Sequence, residues 1–262
     1  MSLHSALLSR IGIKTREPIH FKDLGDILRA FSRTVPFENF RILNKTSGRL
    51  DQASLVSKLV SGQEGGVCYE LNSLLYYFFI ESGMNAAIVP GTVYHHGNGA
   101  WSLSGTHAAV IAEADEGAYL LDGGFGINVA QTPIPMSGET VQTDTGQFRV
   151  ANKPTAEGTH LLEMKLAHEE AGVWKTGYAF NAEKSLRLSD LHSMQQKIQE
   201  HPGSPFNKDP LAAKRTATGF ITLTKDSFTV TSGTKSEKQA ISETEFVEIA
   251  EREFGLKTGP FL

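Results

Sequence analysis

At Asn85 the sequence changes period, and that change limits what the chain can fold into. Before it, apolar residues recur at helical spacing. Leu24, Ile27, Leu28 and Phe31 fall at i, i+3, i+4 and i+7 behind Asp23, and Leu55, Val56, Leu59 and Val60 repeat the pattern behind Asp51. Each Asp is placed to cap the helix that follows it, and Pro36 breaks the first helix. A third helix is expected from about Cys68 to Ser82, with Leu71, Leu74, Leu75 and Phe78 on one face and Gly83 as its stop. After Asn85, short runs such as AAIVPGTVY, HAAVIAEA, AYLLDGGFG, HLLEMKLA and VWKTGYAF are separated by Gly, Asn and Pro turns, as antiparallel strands of a barrel or sandwich would be. The polar segments near 97–105 and 137–146 read as loops. LSDLHSMQQKIQEHPGSPF reads as a helix, and two further strands, TGFITLT and SFTVTS, lead to the amphipathic ETEFVEIAEREFG.

The pattern predicts an α+β chain in three parts: a helical bundle over 1–84, an antiparallel β-barrel over 85–190 and an α/β lid over 191–262. With 262 residues, 40% hydrophobic and 21% charged, the chain has enough apolar surface for a real core. The net charge of −4 supplies no global basic field, so no nucleic-acid partner is expected. The longest strongly apolar run, Leu74 to Ile80, is far short of the roughly 20 residues that cross a bilayer, so no membrane span is expected. The opening MSLHSALLSRIGIKTREP lacks the basic start and long apolar stretch of a secretory signal, and a single cysteine cannot form an intramolecular disulfide. Both point to a cytoplasmic protein.

That cysteine is Cys68, in GGVCYELN. Free cysteine commonly serves as a small buried hydrophobe. Its position here also suits a nucleophile, because a helix N-terminus presents unpaired N–H groups and the positive end of the macrodipole, which favour a thiolate. Gly65 and Gly66 let the backbone turn sharply and leave N–H groups free for an oxyanion. A nucleophilic thiol needs a base and a group that orients the base. His107 is the best placed of the nine histidines, since it begins the strand HAAVIA directly after the loop GNGAWSLSGT. His95 and His96 are adjacent on a strand end and face opposite ways. Asp122 closes the strand AYLLD before Gly-Gly-Phe-Gly; if that strand neighbours the one begun by His107, the two side chains can meet. A turn-initiating Asp and a half-buried surface His remain the plain alternatives. One Cys with scattered His gives no zinc-ligand spacing, so no metal is expected, and Gly123-Gly124-Phe125-Gly126 lacks the glycine spacing of a dinucleotide fingerprint.

Taken in order, PFENF (Pro36 to Phe40), GGVCYELN (Gly65 to Asn72), THAAV (Thr106 to Val110), YLLDGGFG (Tyr119 to Gly126) and SPF (Ser204 to Phe206) span most of the chain, which resembles the arylamine N-acetyltransferase family. The resemblance implies a cysteine-protease-like core in the three parts above, with a triad of Cys68, His107 and Asp122. It implies a ping-pong reaction: acetyl-CoA, the acetyl donor and co-substrate, acylates Cys68, and an arylamine, arylhydrazine or N-hydroxyarylamine takes the acetyl group. It further implies an acceptor pocket with Phe37, Val93 and Phe125, and CoA contacts at Ser104, Gly126 and Thr216. Lys208, Lys214 and Arg215 are candidate partners for the CoA phosphates. A papain-like or transglutaminase-like amide hydrolase or transferase shares the chain order Cys, His, Asp and stays open, as do a CoA-binding relative with little turnover and a transferase of malonyl or other acyl groups.

One position departs from the family, which usually has Arg directly before Gly-Gly; here it is Glu64. The acid expected to pair with that Arg, Glu38, is retained. Two carboxylates would then face each other unless Arg41 sits between Glu38 and Glu64; the alternative is that Arg41 points to solvent and Glu64 is a surface acid.

Overall fold

The computed structural model describes residues 2–14, 18–169 and 172–260. Its first part is helical: α1 (Leu3–Arg10), α2 (Leu24–Thr34), a short strand β1 (Phe37–Glu38), α3 (Phe40–Leu43), α4 (Gln52–Leu55), a π-helical turn over Val56–Ser61, and α5 (Cys68–Glu81). The predicted apolar positions are the buried ones. Leu24, Ile27, Leu28 and Phe31 of α2 pack with Leu71, Leu74, Leu75 and Phe78 of α5 in one core, where each such side chain contributes about 1.5–3 kcal/mol by leaving water. Asp51 caps α4 through the Ser54 N–H at 3.0 Å, and Gly83, at φ +82°, ends α5. Asp23 does not cap α2. Its own backbone is already helical and its carboxylate accepts the His20 N–H at 2.9 Å, closing the preceding 3₁₀ turn.

A sheet of mostly long strands follows: β2 (Ala86–His95), β3 (Ala100–Trp101), β4 (His107–Ala114), β5 (Gly117–Leu121), β6 (Ile134–Pro135), β7 (Val141–Thr143), β8 (Gly146–Ala151), β9 (His160–Leu166) and β10 (Lys175–Phe180). The spatial order is β6-β5-β4-β2-β10-β9-β8-β7, with β3 paired to β2, and every pairing is antiparallel. β6 returns beside β8, so the sheet curls into a nearly closed barrel. Its interior is Val89, Leu120, Phe148, Val150, Leu162, Tyr178 and Phe180 among others. β3 and β7 lie inside the two segments read as loops.

The last part is α6 (Leu188–Glu200), strands β11 (Leu211–Arg215), β12 (Gly219–Thr224), β13 (Ser227–Ser232) and β14 (Lys235–Ala240), and α7 (Glu243–Phe254). Two strands beyond those expected, β11 and β14, complete a five-stranded sheet of order β1-β11-β12-β13-β14. β1 therefore joins the helical part to this sheet, through Phe37 opposite Ala213 and Glu38 opposite Ala212. α7 covers one face through Phe246, Ile249, Ala250 and Phe254, whereas α6 turns Leu191, Met194 and Ile198 into the helical core. Among the described residues, no helix is long and apolar enough to cross a membrane, and no group of three or more His, Cys, Asp and Glu is placed to hold a metal ion.

Candidate active site

Three element ends meet where the helical core abuts the barrel. Cys68 is the first residue of α5, His107 the first of β4, and Asp122 the residue after β5. β4 and β5 are neighbours, with Val110 opposite Leu121, which carries the end of β5 toward the start of β4. His107 Nε2 lies 2.8 Å from Asp122 Oδ2, both side chains being buried. A carboxylate only accepts, so the proton of this bond sits on Nε2. Nδ1 is left to face the thiol, and a hydrogen bond between the Cys68 and His107 side chains helps hold the imidazolium. Cys68 Sγ is 3.5 Å from the Thr106 carbonyl oxygen, one residue before His107.

The electrostatics favour charged partners. Burial pulls the His107 pKa down, but the Asp122 charge and hydrogen bond, aided by Cys68, outweigh it and raise the pKa to about 10. Burial pushes Asp122 up, yet His107, Asn72 and the Gly124 N–H bring it below the ordinary carboxylate value. Asn72 stands one helical turn after Cys68, on the same face of α5. Its Nδ2 donates to Asp122 Oδ1 at 2.8 Å and to the Ala108 carbonyl at 2.6 Å, and its Oδ1 accepts the Gly123 N–H at 2.9 Å. The Gly124 N–H adds a bond of 2.7 Å to Asp122 Oδ1. Tyr178 of β10 packs against the His107 ring, tilted by 46° with centroids 4.4 Å apart, and burial followed by the Asp122 charge pushes its phenol well above the usual value.

The glycines before Cys68 serve close packing more than free donors. A Cβ on Gly65 would fall 2.3 Å from the Pro36 carbonyl oxygen and 2.6 Å from Glu38 Cγ; on Gly66 it would fall 2.8 Å from Glu70 Oε2. The Gly66 N–H donates to Pro36 O at 3.1 Å and the Val67 N–H to Glu70 Oε2 at 3.1 Å. The Cys68 N–H, first of the helix, has no acceptor among the described residues and is the donor left for an oxyanion.

A cavity of about 440 Å³ opens over the thiol. Phe37, Val93 and Phe125 line it as expected, joined by Ile198 of α6 and by Phe206, whose ring centroid lies 5.6 Å from that of Phe37. His95 also reaches the cavity, whereas His96 turns away to the Thr176 carbonyl at 2.8 Å. Of the expected CoA contacts, Gly126 lines the cavity. Ser104 and Thr216 lie outside that lining: the Ser104 carbonyl accepts Lys197 Nζ at 2.6 Å, and the Thr216 N–H is spent on Gly219 O at 2.9 Å. None of the three basic candidates lines the cavity. Lys208 is exposed, Lys214 donates to the Glu253 carbonyl, and Arg215 is buried with Nη1 on the Ile127 carbonyl at 3.1 Å. Among the described residues, no lysine, arginine or carboxylate side chain lines this cavity.

Arg41 meets only one of its two expected partners. It forms a two-pronged pair with Glu64, Nε to Oε2 at 2.6 Å and Nη2 to Oε1 at 2.5 Å, while Glu38 is served by Lys58 and by the Phe40 N–H. The reason is depth: Glu38 is buried, and Arg41 and Glu64 are both about one-third exposed. Asn72, Tyr178, Phe206, Ile198 and Lys58 are the neighbours that sequence reasoning left unassigned.

The family model for N-acetyltransferase matches residues 20–259. The chain is 41% identical over 215 residues to the uncharacterised acetyltransferase YvcN of Bacillus subtilis, covering 82% of this chain and 83% of that protein. It is 32% identical over 203 residues to the arylamine N-acetyltransferase of Mycolicibacterium smegmatis, covering 76% and 71%. In three dimensions it is similar to the Bacillus cereus arylamine N-acetyltransferase NAT3, with TM-score 0.93, 34% identity and 98% and 99% of the two chains covered; that protein is described as having a unique Cys-His-Glu catalytic triad, where the acid here is Asp122. With a family model matched over nearly its whole length and relatives of this kind, the chain belongs to the arylamine N-acetyltransferase family.

Proposed function

We propose that this acetyltransferase moves an acetyl group from acetyl-CoA to an arylamine, arylhydrazine or N-hydroxyarylamine through an S-acetyl Cys68 intermediate, and that it works in the cytoplasm. The observation that carries the reading is the Cys68–His107–Asp122 constellation at the floor of an aromatic-lined cavity. His107 Nδ1 takes the thiol proton, and the Cys68 thiolate attacks the thioester carbonyl carbon. The Cys68 N–H receives the developing oxyanion, and the C–S bond to CoA breaks as the imidazolium returns a proton to the leaving sulfur. In the second half the amine nitrogen attacks the acetyl-enzyme, its proton passes to His107, and Cys68 leaves. Asp122 keeps Nε2 protonated throughout, so that Nδ1 is the nitrogen that accepts and returns protons. Phe37, Phe206 and Phe125 support an aromatic acceptor by offset and edge contacts, each worth about 0.5–1.5 kcal/mol.

The test is intact-protein mass spectrometry after incubation with acetyl-CoA, followed by a panel of aromatic amines and hydrazines. One acetyl group is expected on the wild type and none on Cys68→Ala, with loss of the adduct on adding an acceptor. Full amine acetylation by Cys68→Ala would end the proposal.

A further inference from the structure

Behind the start of α5 lies a group of charged side chains that the transfer chemistry does not use. Lys58 is the cation of the group, only 5% exposed, with Nζ 2.6 Å from Glu70 Oε1 and 3.8 Å from Glu38 Oε1. Both partners hold backbone. Glu70 Oε2 accepts the Val67 N–H at 3.1 Å, capping the helix that begins with Cys68, and Glu38 Oε2 accepts the Phe40 N–H at 2.6 Å beside the strand that carries Phe37.

Lys58 sits in the π-helical turn Val56–Ser61, next to the buried Leu59 and Val60. A lone ammonium at this depth is costly, so its burial is accounted for by two carboxylates that need it. Burial pushes the Glu38 carboxyl up, and the Lys58 charge draws it partway back. Arg41 cannot take this role, because both prongs of its guanidinium are spent on Glu64 nearer the surface. Gly65 and Gly66 fit the same picture: they are bare where Glu38 and Glu70 press against the chain.

We propose that Lys58 is a positioning residue for the nucleophile: it holds Glu70 on the Val67 N–H and ties that cap to Glu38, so that the Cys68 thiol and N–H stay fixed against the Phe37 wall. The acetylation readout rests on the proposed transfer reaction. Alkylation of Cys68 by iodoacetamide does not, and it reads the same thiol–imidazole geometry.

Lys58→Met keeps the apolar stem and removes the charge. Per folded molecule it should acetylate from acetyl-CoA about tenfold more slowly or worse, and alkylate more slowly by a similar factor, with KM for acetyl-CoA within about threefold of wild type. Lys58→Arg should stay within about threefold of the wild-type rates, because a guanidinium still spans both carboxylates. Lys58→Met/Glu38→Gln/Glu70→Gln has no unpaired buried charge, and Gln at position 70 can still accept the Val67 N–H. It should recover part of the loss yet remain at least about threefold slow, since the tie between residues 38 and 70 is gone. Wild-type alkylation by folded Lys58→Met overturns the proposal; should that variant not fold, wild-type alkylation by the triple variant does so. Slowed alkylation in a protein that never takes up acetyl would leave the positioning role standing and remove the transfer reading instead.

Discussion

The imidazole of His107 and the carboxylate of Asp122 form a buried ion pair, Nε2 to Oδ2 at 2.8 Å, in which each group shifts the other toward its charged form against the pull of burial. The pair couples the site's chemistry to the stability of the chain.

The folded pKa of His107, about 10, lies above the unfolded value of about 6.5, so its stabilisation is complete below pH 6.5 and fades as pH rises toward 10. Asp122 is shifted below its ordinary value, so its contribution is present at neutral pH and is lost only as pH falls through the acid range. Asp122→Asn should leave burial of His107 opposed only by Cys68. The histidine then titrates well below its wild-type value, and turnover drops on the order of 10⁴-fold by analogy with serine proteases. The gap in melting temperature between wild type and Asp122→Asn should be widest near pH 6 and narrow toward pH 10. Nitrogen-15 NMR of the His107 ring and melts at several pH values check both; a His107 in Asp122→Asn that still carries two protons at pH 8 contradicts the assignment.

Asn72 acts through Asp122. Asn72→Ala strips one bond from Asp122 and leaves the Gly123 N–H and the Ala108 carbonyl without this partner, each buried loss costing about 1–3 kcal/mol. Asn72→Asp keeps the shape but sets a second carboxylate beside Asp122, so it should lower acetylation more than its loss of melting temperature accounts for. Activity tracking stability alone in both variants would reduce Asn72 to a packing residue.

The aromatic wall of the cavity allows a split of kinetic constants if it holds the acceptor as proposed. Phe206→Ala removes the ring beside Phe37 in the cavity wall and leaves the Cys68–His107–Asp122 constellation unaltered. It should raise KM for an aromatic amine about 2- to 12-fold while leaving acetylation of Cys68 by acetyl-CoA near wild type. Equal losses in both half-reactions would place Phe206 in the scaffold and not in the acceptor pocket.

The three residues of the constellation were legible because each has a local signature: a thiol after two glycines at a helix start, an imidazole opening a strand, an acid closing one before glycines. The pairing of β4 with β5 is an assumption that the short turn between them makes natural, whereas the approach of Cys68 to His107 rests on the family resemblance. What stayed hidden depends on contacts between distant segments. Tyr178 reaches His107 because β10 pairs with β2, and nothing in KTGYAF announces that register. Lys58 looks like a solvated charge in an apolar run until the π-helical turn carries it inward. β14 is exposed along its whole length, so KSEKQA has no apolar alternation to reveal it. Asp23 was misplaced by one element, since a cap depends on backbone angles that residue types do not specify.

Arg41 and Glu64 offer a contrast with the buried charges beneath them. Their pair is two-pronged but about one-third exposed, and solvent screening limits such pairs to about 0.2–1 kcal/mol. Arg41→Ala should therefore lower stability by no more than about 1 kcal/mol and leave acetylation of Cys68 within about twofold of wild type, since Glu38 keeps its bonds to Lys58 and the Phe40 N–H. Glu64→Arg sets two guanidinium groups side by side and should cost more than Arg41→Ala does, whereas the exchange Arg41→Glu/Glu64→Arg restores an opposite-charge pair and should recover most of that difference. Urea unfolding of the three variants, paired with acetylation rates, measures the coupling. If Arg41→Ala costs several kcal/mol or abolishes acetylation, the pair belongs to the same buried network as Lys58, and the division between an exposed pair and a buried one is wrong.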